Sequence, residues 1–133
     1  MSFTAQDVQQ KIVELTADGS PFVLKNFDVE GHTYKGFANA PADLVQLLQA
    51  GRAHGDKPFM VYEGRHISFD DFFGQVDILG SRLQNGYGIK RGDRIAIAMR
   101  NCPEWAVSFV AAVLAGAIVV PLNSWGKTDE LVF

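Results

Sequence analysis

Cys102 is the single cysteine of the chain and the residue whose type and place first suggest chemistry. It precedes Pro103-Glu104, a pair that suits the first turn of a helix. A helix N-terminus lowers a thiol's pKa and favours the nucleophilic thiolate. A cysteine nucleophile also needs a base, usually histidine. His32, His54 and His66 stand far from Cys102 in sequence and at no helical spacing from one another. Neither a Cys–His pair nor a preset metal site is therefore encoded locally. Only folding could bring His54 or His66 to the thiol, and the sequence favours a structural cysteine. Asp70-Asp71 and Asp93 offer carboxylates for acid–base work, but the first two open a helix and the third sits in a turn. Gly86-x-Gly88-x-x-x-Gly92 has the glycine density of a phosphate-cradling loop. It has the wrong spacing for one and follows a helix, where the chemistry needs a strand-to-helix turn. Arg65, Arg82, Lys90, Arg91, Arg94 and Arg100 are scattered over several elements among acids, as on a solvated face. The sequence assigns no catalytic, cofactor-binding or metal residue.

The elements that would position any site follow from periodicity and punctuation. Thr4-x-x-Asp7 is a capping-box pattern, and Val8, Ile12 and Leu15 then fall on one helical face until Asp18-Gly19-Ser20-Pro21. Phe22-Val23-Leu24 reads as a short strand, and His32 to Ala40, punctuated by Gly31 and Gly36, as loop. A second helix starts near Pro41, shows Leu44, Leu47 and Leu48 on one face and ends near Gly51. Phe59-Met60-Val61-Tyr62, Glu63-Gly64-Arg65 and His66-Ile67 predict a small hairpin near 59–68. Ser68-x-x-Asp71 is a second capping box, opening a helix striped with Phe69, Phe72, Phe73, Val76, Leu79 and Leu83 and ended by Asn85-Gly86-Tyr87-Gly88. Residues 94–122 read strand, helix, strand. That is a βαβ unit with parallel strands near 94–99 and 117–121, both apolar enough to be covered on both faces. The expected class is α/β. Thr128, as an N-cap, and Asp129-Glu130 then open a further helix whose apolar face begins at Leu131-Val132-Phe133. A next helix and strand are expected to follow, since a two-stranded parallel pair leaves an apolar edge open. That edge would also suit a homodimer.

The 133 residues are of single-domain size, 47% hydrophobic and 20% charged, which excludes a disordered or low-complexity chain. A net charge of −3 gives no drive toward nucleic acid or acidic membranes. A lone cysteine excludes an internal disulfide and fits a reducing, cytoplasmic setting. Met1-Ser2-Phe3-Thr4 does not open a secretory leader. Trp105 to Leu122 is apolar enough to span a bilayer. Gly116, the β-branched Ile118-Val119-Val120 and Pro121 instead divide it into a buried helix and a buried strand.

Residues 56–123 resemble the opening of the AMP-forming adenylating enzymes, the acyl-CoA synthetases, fatty-acid ligases and luciferase-like proteins. The resemblance runs through Asp56-Lys57-Pro58-Phe59 and Ile67-Ser68-Phe69-Asp70-Asp71-Phe72. It continues through Gly88-Ile89-Lys90-Arg91-Gly92-Asp93-Arg94-Ile95-Ala96-Ile97, Asn101-Cys102-Pro103-Glu104-Trp105 and Gly116-Ala117-Ile118-Val119-Val120-Pro121-Leu122-Asn123. Asp129-Glu130-Leu131 fits the helix that follows, residues 39–55 fit loosely, and residues 1–38 lie outside the resemblance. The expected organisation is an N-terminal extension over 1–38 and, over 39–133, the N-terminal part of a larger AMP-binding synthetase domain, truncated at its C-terminal end. The resemblance implies an enzyme that uses ATP and Mg²⁺ to convert a carboxylic acid, a fatty acid by preference, into an acyl-adenylate. Coenzyme A then takes the acyl group. The family's phosphate loop, metal-binding acid, ribose-binding aspartate and late lysine lie downstream of this stretch, so the fragment is expected to be inactive alone. The alternative is a stand-alone binding or dimerisation module derived from the same fold.

Overall fold

The computed structural model describes residues 4–131, and the Val132 and Phe133 part of the last apolar face lies outside them. The chain divides between Ala42 and Asp43 into two units.

The first unit holds helix α1 (Ala5–Thr16) and strands β1 (Leu24–Val29) and β2 (His32–Phe37). Both halves of the expected capping box form: the Asp7 backbone N–H donates to the Thr4 hydroxyl at 3.2 Å, and the Thr4 N–H donates to the Asp7 carboxylate at 2.8 Å. The segment read as loop over 32–40 is instead strand through Phe37 and pairs antiparallel with β1, from Leu24↔Phe37 to Val29↔His32. The expected short strand over 22–24 correspondingly moves to 24–29. The reason is local. Glu30 and Gly31 both have positive φ, 52° and 81°, which gives a two-residue turn whose twist matches the flanking strands. Gly36 is not a breaker either: the Phe27 ring lies across it, so that a Cβ there would meet the ring at 3.1 Å. Lys25 Nζ sits 4.7 Å from the centre of the same ring.

The second unit begins with α2 (Leu44–Ala50), capped by Asp43 and followed by a 3₁₀ turn over Gly51–His54. Strands β3 (Pro58–Tyr62) and β4 (Arg65–Ser68) form the expected hairpin, again with two positive-φ turn residues, Glu63 and Gly64. The register slips between Pro58 and Met60, an inserted residue at Phe59. The Phe59 ring lies 4.5 Å from Phe69 and 4.8 Å from Phe72 on the next helix. That helix, α3 (Phe69–Ser81), starts at the Ser68–Asp71 capping box and buries Phe72, Phe73 and Val76. It runs on as a π-helical turn over Arg82–Gly86. Leu83, expected on the helix stripe, falls in that turn and still packs on the core.

The βαβ unit comprises β5 (Arg94–Ile97), α4 (Pro103–Leu114) and β6 (Ile118–Pro121), with Arg94↔Ile118 to Ile97↔Pro121 paired in parallel. Gly116, at φ 84°, makes the left-handed turn from α4 into β6, where a side chain would be strained. Helix α4 buries Val107, Val110 and Ala111 in one cluster with Phe72, Phe73 and Val76 of α3, and this helix pair is the centre of the core. The expectation of two buried strands needs correction. Of β5 only Ile97 is buried, and Ile118 of β6 is 50% exposed. Among the described residues these two strands form a sheet by themselves, with α4 as the helix packed against both. Helix α5 (Thr128–Leu131) then begins, with Thr128 as its first residue. Among the described residues no helix is long and apolar enough to cross a membrane.

One polar tie clamps α3 to the 3₁₀ turn. Arg52 donates to both Asp77 oxygens, at 3.0 and 2.5 Å, and to the Gln49 side chain at 2.5 Å, while its guanidinium lies 4.4 Å from the Phe73 ring centre. Hydrogen bonds from Arg52 hold the Asp77 carboxyl below its usual range. A depressed folded-state value means that the stabilisation is present at neutral pH and disappears as pH falls through that value, below about pH 4. Asp77→Asn is expected to flatten this acid limb of the stability curve. Urea midpoints measured from pH 7 down to pH 3 would show it, and an unchanged slope would refute the tie. Asp77 is 58% exposed, so the effect at neutral pH is small.

Candidate functional site

Parallel α/β units place ligands beyond the carboxyl ends of their strands. Here that edge is formed by the segment leaving β5, residues 98–102, and the segment leaving β6, residues 122–127. The Leu122 N–H donates to the Ile97 carbonyl at 2.9 Å and holds the two exits side by side. Between them lies a cleft of about 470 Å³, lined by Met99, Arg100, Asn101 and Trp105 from one side and by Pro121 through Trp125 from the other. The second exit is shaped by Asn123. Its side-chain oxygen accepts the Trp125 N–H at 3.1 Å, and its carbonyl accepts the Gly126 N–H at 3.0 Å. This turn sets Trp125 beneath Arg100, whose guanidinium carbon lies 4.4 Å from the ring centre. Trp105, at the start of α4, stacks on Phe109 at 5.4 Å and 12°.

Cys102 lies beside this cleft, in a second one of about 360 Å³ that it shares with Met60, Val61, Tyr62, Asn101, Pro103 and Trp105. It is the N-cap residue of α4, but its thiol makes no capping bond. The Glu104 carboxyl is held below its usual range first by its own backbone N–H and then by the Cys102 thiol. The Tyr62 hydroxyl is pushed up, chiefly by the Glu63 charge, and stays a neutral phenol. No histidine lines this cleft, so the thiol gains no base there. His54 packs its ring 4.7 Å from Phe69, and His32 and His66 are exposed strand residues.

The other weighed residues have structural work. Asp71 completes a cap with Ser68, the Asp70 N–H donates to the Gly55 carbonyl, and Asp93 accepts the Lys90 N–H at 2.8 Å. Gly88 and Gly92 are positive-φ turn residues, and the Gly92 N–H donates to the Gly116 carbonyl. Arg91 packs against Gly116, where an added Cβ would meet it at 3.4 Å. Arg65, Arg82, Lys90 and Arg94 are exposed. Arg100 differs from them by its aromatic partner. Trp125 was missed by periodicity, since it follows the apolar run within a turn. Its one sequence signal is a large aromatic where turn residues are the rule.

The family model described as "AMP-binding enzyme" matches residues 47–133. The chain belongs to the AMP-binding enzyme family. Among curated AMP-binding relatives, a long-chain-fatty-acid–CoA ligase of Bacillus subtilis is 32% identical over 87 residues, 65% of this chain and 15% of that protein. A 4-hydroxybutyrate–CoA ligase 2 of Metallosphaera sedula is 32% identical over 90 residues, 68% of this chain and 16% of that protein. An acyl-CoA ligase sidI of Aspergillus fumigatus is 30% identical over 132 residues, 98% of this chain and 22% of its own, so its likeness reaches into the first unit. The chain thus spans about a sixth to a fifth of these relatives. Among solved structures, the Klebsiella oxytoca NpsA N-terminal subdomain in complex with anthranilyl-AMSN shares the fold. Its TM-score is 0.62 at 24% identity, over 66% of this chain and 23% of that one. O-succinylbenzoate coenzyme A synthetase of Bacillus subtilis in complex with AMP has a TM-score of 0.58 at 25% identity, over 64% of this chain and 22% of that one.

The described residues of this family member do not themselves suit ATP with Mg²⁺. They hold no group of three or more His, Cys, Asp or Glu side chains placed for a metal ion. The strand-to-helix turn after β5, Ala98 to Cys102, has no glycine at which a backbone could close on phosphates.

Proposed function

We propose that this chain is the N-terminal part of an AMP-forming acid–thiol ligase, an acyl-CoA synthetase whose acid is a fatty acid. The observation that carries the reading is the family match over 47–133. It falls on residues that fold as capped helices and a βαβ unit, which are scaffold elements. Such a ligase joins its acid to the α-phosphate of ATP with loss of pyrophosphate, then transfers the acyl group to the thiol of coenzyme A with release of AMP. The names of the curated relatives support a coenzyme A ligase, and long-chain fatty acid recurs among them. The small share of those relatives that the chain spans supports a parent several times longer. ATP, Mg²⁺ and coenzyme A are then handled by that parent in the cytoplasm, with residues 39–133 contributing framework and residues 1–38 an N-terminal extension. The sidI likeness supports counting that extension as part of the ligase.

Pyrophosphate release tests the reading. With ATP, Mg²⁺, laurate and coenzyme A, the protein encoded by the whole reading frame is expected to release pyrophosphate and form the thioester. The 133-residue chain alone is expected to release none. Turnover by the chain alone would refute its role as framework. A parent that ignores laurate but activates an aromatic acid would refute the fatty-acid assignment. A parent inactive on every acid would refute the ligase.

A further inference from the structure

We propose that the outward face of α3 is a contact surface for a second copy of this chain, the two α3 helices lying antiparallel across a two-fold axis with Ile78 of each copy seated at Gly74 of the other.

Helix α3 contains two glycines, Gly74 and Gly80, and glycine weakens a helix interior. Gly80 has its reason inside the fold: an added Cβ would stand 3.9 Å from the Ala111 carbonyl oxygen of α4. Gly74 has no such reason, since nothing lies within 4 Å of a Cβ built there. A close neighbour for that bare backbone has to come from outside the chain. One turn further on, Ile78 is 71% exposed, while Phe72, Phe73 and Val76 of the same helix are buried. Ile78 does not cover the hollow at Gly74 of its own helix. A projecting branched side chain and an open hollow thus stand next to each other on one face. Each suits the other across a helix–helix contact, the knob of one copy entering the hollow of the second.

Charge fixes the orientation. Asp71, Gln75, Ile78 and Arg82 are all exposed and recur at helical spacing, so they form one stripe about 16 Å long. Arg82 opens the π-helical turn but keeps helical φ and ψ, −65° and −41°, and so stays on the stripe. An acid stands at one end and a base at the other. A second stripe laid end for end sets Asp71 against Arg82 of the second copy and Gln75 against its Ile78, and symmetry repeats both contacts. A parallel pair would set acid on acid and base on base. Neither charge is used up within the chain. Among the described residues the ion pairs are Lys11–Glu14 and Arg52–Asp77, so Arg82 has no acid. The Ser68 cap takes only Oδ2 of Asp71. Beside Gly74, a cleft of about 520 Å³ between α3 and the start of α4 offers the incoming isoleucine an apolar floor, Ile67 and Pro103. Three turns of helix make a small interface, so the dimer is weak. The inference does not depend on the ligase reading, which is tested by pyrophosphate.

Sedimentation equilibrium of the 133-residue chain is expected to show monomer and dimer, with a dissociation constant of about 10–1000 µM. Raising sodium chloride from about 50 to about 500 mM is expected to weaken the dimer several-fold, as the end pairs are screened. Ile78→Lys is expected to leave only monomer up to about 1 mM, since it sets a charge at the centre of the contact. Gly74→Gln, a good helix former that fills the hollow, is expected to weaken the dimer about 10-fold or more. Arg82→Glu, which faces Asp71 of the second copy with a like charge twice over, is expected to weaken it similarly. Lys90→Glu, in an exposed turn off this face, is expected to dimerise as the unaltered chain does. Circular dichroism checks that each variant is folded, and Gly74→Gln decides the matter if Ile78→Lys is not. A chain that stays monomeric up to about 1 mM would overturn the proposal. So would a dimer left unchanged by either folded variant, which would place the contact elsewhere, as at the open edge of β5 and β6. Association that runs on past the dimer would also overturn it, because a two-fold contact closes.

Discussion

Phe72→Ala is expected to lower the unfolding free energy by about 3–5 kcal/mol, the range for removing a buried aromatic ring. Phe72 is 2% exposed, and its neighbours cannot close the gap cheaply. The Phe73 ring meets it edge-on at 5.3 Å, the Phe59 ring lies 4.8 Å away, and Val76, one turn further along α3, is 1% exposed. Phe59 is delivered by the extra residue in β3, and Phe73 is pinned beneath Arg52. Collapse into the cavity would therefore disturb a strand register and an ion pair together. Domains are stable by about 5–15 kcal/mol in total, so this loss takes a large part of the reserve. Urea unfolding followed by circular dichroism would show it as a lower midpoint with an unchanged slope. Phe59→Ala is the internal control: at 42% exposed it should lose clearly less. Equal losses at the two positions would mean that Phe72 is not at the centre of the core.

The second large effect is expected where the two central helices meet. Ala111 and Ala112 of α4 have no exposed surface. A Cβ added at Gly80 of α3 would stand 3.9 Å from the Ala111 carbonyl oxygen. Small side chains set this approach, and the larger residues on either side of the contact are fitted to it. Ala111→Leu adds three carbons where the neighbours are already packed, and is expected to destabilise by about 1–3 kcal/mol or more. Because the helices would have to separate, the near-ultraviolet signal of the aromatic core should change as well. Ala96→Leu makes the same change at an exposed position of β5 and should leave the thermal midpoint nearly unaltered. An Ala111→Leu variant as stable as the parent would show that the helix contact is loose.

Both of these core residues come from segments whose pattern was plain in the sequence. The α3 stripe, the Ser68–Asp71 cap, the β3–β4 hairpin and the order of the βαβ unit follow from period, capping chemistry and turn residues, all of which act over a few positions. The β1–β2 hairpin shows where such reading fails. Glu63-Gly64 and Glu30-Gly31 are the same dipeptide making the same kind of turn. The first was flanked by apolar runs and was legible. The second lies between strands that alternate charged, polar and aromatic residues, and Gly36 imitates a break. What keeps that strand together is a cross-strand ring over a glycine, a relation between residues nine apart that no periodicity encodes. The burial of the parallel strands was overread for a different reason. Apolar β-branched residues specify a strand that can be covered, but among the described residues α4 packs against the pair and Ile118 stays half exposed. The candidate cleft was least legible of all. Arg100 and Trp125 lie on different exits and meet only because β5 and β6 pair in register.

The two-residue Glu30-Gly31 turn also bears on the order of events at the ribosome. Its strands can zip within about 1–10 µs, and they emerge well ahead of β5, at a synthesis rate of about 5–20 residues per second. The β5–β6 pair has no such shortcut: Arg94 must wait until Ile118 has been translated, with all of α4 between them. A nascent chain long enough to bring Phe37 clear of the ribosome should therefore shield the amides of β1 and β2 from exchange, while Ile95 to Ile97 remain unshielded until Pro121 has emerged.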